Sequence, residues 1–65
     1  MIDLMTLKPG DRLQLHKGIV AEVTENMNDG MWVEVRLIEA PQQPDEVGAV
    51  ELCHAQDIVK ILGAS

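Results

Sequence analysis

Few residues in this chain could do chemistry. Cys53 and His54 are adjacent, and a thiol beside an imidazole serves elsewhere as a nucleophile or a metal-ligand pair. His16 is the second imidazole, and Asp45, Glu46, Glu51 and Asp57 supply carboxylates for acid–base work. Trp32 is the only aromatic residue. Tryptophan combines a large apolar face with one donor at its tip, the combination that anchors protein contacts.

Spacing removes most of these options. Neighbours on a strand point to opposite faces, so Cys53 and His54 cannot readily share a ligand or a proton. No third ligand stands at a recognisable spacing, and no metal or cofactor is expected. Carboxylates become acids or bases only in a pocket that perturbs them, which a small filled domain has little room to build. Asp11, after Pro9-Gly10, reads as a turn residue. Of the methionines, Met27 and Met31 flank a hairpin tip, where a soft contact patch competes with core filling. Trp32 remains the sharpest candidate.

The element that positions Trp32 is a hairpin over about residues 19–38. Ile19, Ala21 and Val23 alternate with Val20, Glu22 and Thr24; Val33, Val35 and Leu37 alternate with Trp32, Glu34, Arg36 and Ile38. If odd positions face inward on both strands, a three-residue loop, Asn28-Asp29-Gly30, sets the register. It pairs Met27 with Met31, Val23 with Val35 and Ala21 with Leu37. On the outer face it pairs Glu22 with Arg36, Val20 with Ile38 and Asn26 with Trp32. A one-residue slip would turn every side chain over.

Around this hairpin, residues 1–7 read as an N-terminal arm whose apolar Ile2, Leu4, Met5 and Leu7 cover one end of the core. Asp11 to Leu15 is a first strand and His16-Lys17-Gly18 a turn. Residues 40–48, with Pro41, Pro44 and several polar side chains, form a long loop. Val50 and Leu52, alternating with Glu51 and Cys53, mark a fourth strand. Ala55-Gln56-Asp57 is a tight turn, and Ile58 to Leu62 a fifth strand. The expected fold is all-β: one domain over residues 1–65, five short strands closed into a small barrel.

Eleven acidic side chains against five basic ones give a net charge of −6. Lys8, Arg12, Lys17, Arg36 and Lys60 are scattered, so a polyanion such as nucleic acid is disfavoured as a partner. No apolar run approaches the roughly 20 residues that span a bilayer. The opening Met1-Ile2-Asp3 lacks a basic-then-apolar leader, and one unpaired cysteine suits a reducing compartment, so a cytoplasmic location is expected. A chain this short buries only about 60% of the surface it would expose unfolded. Without a disulfide or a metal, support from self-association or a larger partner becomes relevant.

Leu7-Lys8-Pro9-Gly10-Asp11-Arg12-Leu13 resembles the apolar-x-x-Gly-Asp-x-apolar opening of SH3-like barrels. That group includes KOW domains, the nitrile hydratase β-subunit barrel and the small SH3-like component of photosystem I. Gly18-Ile19-Val20 is similar to the Gly-x-Val start of their second strand, and Asp57-Ile58-Val59 to their closing strand. The resemblance implies the barrel and no particular activity, since this fold hosts many functions. Nucleic-acid-binding KOW domains carry basic residues and further glycines around the first loop, which here is only His16-Lys17-Gly18.

The functional expectation is therefore a small non-enzymatic interaction module or accessory subunit. Its predicted contact surface is the outer hairpin face: Trp32, Val20, Ile38, Arg36 and Met31. The partner is another protein or a second copy. The alternative is an oligomeric enzyme or ligand-binding protein with a site between subunits, drawing on His16, His54 and Gln56. A KOW-like nucleic-acid-binding domain ranks behind both.

Overall fold

The computed structural model describes residues 4–64, so Met1, Ile2 and Asp3 of the expected arm lie outside the described residues. Five antiparallel strands form one sheet: β1 (Asp11–Leu15), β2 (Val20–Asn26), β3 (Trp32–Glu39), β4 (Val50–His54) and β5 (Ile58–Ala64). Short 3-10 turns at Leu4–Thr6, His16–Gly18, Pro44–Glu46 and Ala55–Asp57 make the corners. The architecture is all-β, as the alternating hydropathy predicts.

The strand order is β4-β3-β2-β1-β5. The ladder does not close, and β4 and β5 are its two edges. Only the turn Ala55–Asp57 separates β4 from β5 in sequence, yet β5 pairs with β1 on the far side of the sheet. His54 holds that corner: its Nδ1 accepts the N–H of Gln56 at 3.1 Å.

A sheet without a second layer must cover its own apolar face. Leu13, Ala21, Val23, Val33, Val35, Leu37, Cys53 and Ile58 from all five strands gather into one core. Leu4 and Leu7 from the N-terminal segment join it, while Met5 between them stays exposed. Asn26 ties the segment down, its Nδ2 donating to the carbonyls of Leu4 (2.7 Å) and Leu7 (3.0 Å).

The central hairpin keeps the expected register in its middle, with Ala21 opposite Leu37, Glu22 opposite Arg36 and Val23 opposite Val35. Both ends depart from it. The ladder shifts between Val23 and Glu25, leaving Thr24 as the extra residue, so Asn26 faces Val33 rather than Trp32. The bulge turns Asn26 towards the segment, where its Nδ2 gives the Leu7 carbonyl a donor and the Leu4 carbonyl, which also accepts the Leu7 N–H, a second one. A second shift places Val20 opposite Glu39 rather than Ile38. The connection is also longer than three residues. Asp29 Oδ1 accepts the N–H groups of Met31 (2.8 Å) and Trp32 (2.9 Å), holding residues 27–31 together as a loop. Asn28 and Gly30 supply its positive φ angles, 60° and 77°.

Candidate interaction face and adjoining cleft

Trp32 begins β3 and is 37% exposed. Its partner across the ladder is His54 on β4. The two rings meet edge to face, centroids 4.8 Å apart and planes at 83°. Such contacts contribute about 0.5–1.5 kcal/mol beyond the area they bury. Because His54 Nδ1 is occupied as an acceptor from Gln56, the neutral ring carries its proton on Nε2. One imidazole therefore both caps a turn and fixes the indole.

The neighbours of Trp32 on this face come from β4. Glu34 stands opposite Leu52 and Arg36 opposite Val50, so Trp32, Glu34 and Arg36 share the face with His54, Leu52 and Val50. Leu52 is 60% and Val50 52% exposed. Alternation marked Val50 and Leu52 as one side of a strand, and the structure turns that side to solvent. Cys53 and Ala55 are buried instead, Cys53 across from Val33. The signal was the two small residues at 53 and 55, which suit the crowded side of the sheet.

The other predicted contact residues are spread along the hairpin. Met31 is exposed in the loop beside Trp32, and Arg36 is exposed at mid-strand. Ile38 lies six residues from Trp32 on the same strand, about 20 Å away at the usual rise per residue. It is half-buried, as is Val20 at the same far end of the hairpin. Between the two ends runs a charged row in which Glu22 has Arg12 on one side and Arg36 on the other. The ion pair forms with Arg12, Nε to Oε1 at 3.8 Å. Glu34 accepts the Thr24 hydroxyl at 2.7 Å.

On the inner side of the β4 edge lies a cleft of about 230 Å³. Leu15, Ile19, Val35, Leu52 and Cys53 supply its apolar lining, and Glu51, Asp57, His16 and Lys17 its polar groups. The Cys53 thiol is pushed up to about 11, first by burial and then by the carboxylates of Asp57 and Glu51. A thiol held neutral in this way is a poor nucleophile near pH 7.

The residues of the alternative reading, an enzyme with a site between subunits, fall in two places within one chain, with His54 and Gln56 adjacent at the β4–β5 corner and His16 apart from them. His16 lines the cleft, while His54 is committed to Trp32 and Gln56 on the outer side. Among the described residues no three His, Cys, Asp or Glu side chains are grouped to hold a metal ion. No helix among them is long and apolar enough to cross a membrane. The chain matches no family model, no curated protein and no solved structure.

Proposed function

We propose that the chain is a small non-enzymatic interaction module or accessory subunit, built as an incomplete SH3-like barrel. Its contact face is the outer surface of β3 and β4, centred on Trp32. One observation carries this reading: the single aromatic residue stands partly exposed on a strand, edge to face with His54, with Val50 and Leu52 open to solvent on the same face. The barrel assignment is supported by the five-strand order, the N-terminal segment that packs into the core and the one-turn corner before β5. Docking would bury the indole and the two aliphatic side chains, while Arg36 and Glu34 set orientation. A reducing, cytoplasmic setting suits the unpaired thiol of Cys53.

The test uses the wild type, Trp32→Ala and Leu52→Asp as baits in native lysate, each first shown to be folded by its far-UV spectrum and melting transition. The expected result is a protein retained by the wild type and lost with both variants. Retention unchanged by both substitutions would refute the proposed face.

A further inference from the structure

We propose that the free edge of β4 receives an extended, basic segment of a partner protein as an additional strand. The proposal rests on the interaction-module reading and narrows it to pairing through the backbone. The β4 ladder leaves groups available for this. The Ala55 N–H donates to Met31 O at 2.9 Å, so alternation turns the backbone groups of Cys53 and Glu51 towards β3 and those of Val50 and Leu52 outward. No other described strand pairs with β4 on that side.

Both sides of the edge are prepared for a guest. A strand laid beside β4 sends successive side chains to opposite faces. One set would meet Val50, Leu52 and the Trp32–His54 pair. The other would enter the cleft over Val35 and Cys53, between walls that carry Glu51 and Asp57 against the single ammonium of Lys17. A lysine or arginine fits that cleft, its stem against the apolar lining and its head at the carboxylates. The net charge of −6 draws such a segment in.

The same charges argue against a second copy as the occupant. An antiparallel β4 from another molecule would present its own Glu51 to the cleft, carboxylate towards carboxylate, between two chains of charge −6. β5 is the poorer edge for any guest. Its ladder with β1 shifts twice, between Arg12 and Leu13 and between Gln14 and Leu15, which breaks the even row of groups a guest would read.

The experiment titrates ¹⁵N-labelled protein with a nine-residue, end-capped peptide alternating valine and lysine. Two comparison peptides are the same one N-methylated on alternate amides and one alternating valine and glutamate. The expected result is amide shifts concentrated at Val50–His54 with the basic peptide and none with the acidic one. N-methylation should weaken binding about tenfold or more by removing strand hydrogen bonds. Glu51→Lys should weaken it about tenfold by reversing a charge at the cleft. No binding up to about 1 mM peptide, equal binding after N-methylation, or shifts confined to other strands would overturn the proposal. So would a wild-type dimer in sedimentation that Leu52→Lys dissociates, which would assign the edge to a second copy. If the peptide fails while Trp32-dependent capture persists, strand addition falls and the outer face stands. If capture ignores Trp32, the outer face falls.

Discussion

Replacing Asn26 with alanine tests how the N-terminal segment is held. The side chain makes three hydrogen bonds: Nδ2 to Leu4 O at 2.7 Å and Leu7 O at 3.0 Å, and Oδ1 from Asn28 N–H at 2.8 Å. At about 1 kcal/mol net each, their loss would cost about 3 kcal/mol, reduced to about 2 because water reaches a half-buried site and replaces part of them. A domain of this length has roughly 3–10 kcal/mol in total. At about 4–8 °C per kcal/mol, the midpoint should fall by about 10 °C. The assay is thermal and urea unfolding followed by circular dichroism, with amide exchange at Leu4 and Leu7 to show that the loss is local to the segment. Asn26→Asp is the sharper comparison. It keeps an acceptor for Asn28 but sets a carboxylate against two carbonyl oxygens, so it should destabilise at least as much as alanine at neutral pH. An Asn26→Asp protein melting with the wild type would refute the account.

Four further outcomes are expected, at three residues. The Cys53 thiol should alkylate slowly with iodoacetamide near pH 7 and faster as the pH approaches its folded value of about 11. Because the unfolded thiol ionises first, near its ordinary value of 9.0, Cys53 should make stability decline from about pH 9 to about 11, a slope that Cys53→Ala removes. Asp29 has a lowered pKa because its carboxylate accepts the Met31 and Trp32 N–H groups. Its stabilising contribution is present above 3.8 and should fade as the pH falls through the folded value, with Asp29→Ala abolishing it and changing Trp32 emission. Lys17 has φ 64°, in the left-handed region. Lys17→Gly should raise the melting midpoint slightly, since relief of about 1 kcal/mol of strain exceeds the added chain entropy; a lower midpoint would contradict this.

Most of the strand pattern was legible in the sequence because its cause is local. Period-2 alternation within Asp11–Leu15 and in the middle of the hairpin follows from which face each residue must bury; both segments are strands, and the middle of the hairpin keeps its expected register. The tip of the hairpin was not legible, for one cause that is distant in sequence and one that is a side chain competing locally with the ladder. Asn26 turns inward to serve the carbonyls of Leu4 and Leu7, some twenty residues earlier. Asp29 takes up two N–H groups that a shorter loop would have left to the ladder. The site was half legible. Trp32 falls on the outer side by strand parity, but its companions come from β4, and the facing of Val50 and Leu52 depended on the fit of Cys53 and Ala55 inside. Hydropathy alone favours the opposite choice.

The β1–β5 ladder also bears on how the chain is made. Asp11 pairs with Ala64 and Leu15 with Ile58, so this contact closes the longest loop in the molecule, whereas each of the other ladders joins strands that are consecutive in the sequence. During synthesis from the N-terminus, β1 to β4 can zip together in order while β1 keeps one side unpaired until β5 has been added. Loop closure makes that last pairing entropically the most demanding and the slowest to form. A nascent chain paused before residue 58 would therefore offer two open edges, at β1 and at β4, and the β1 edge would be covered only when the final strand arrives.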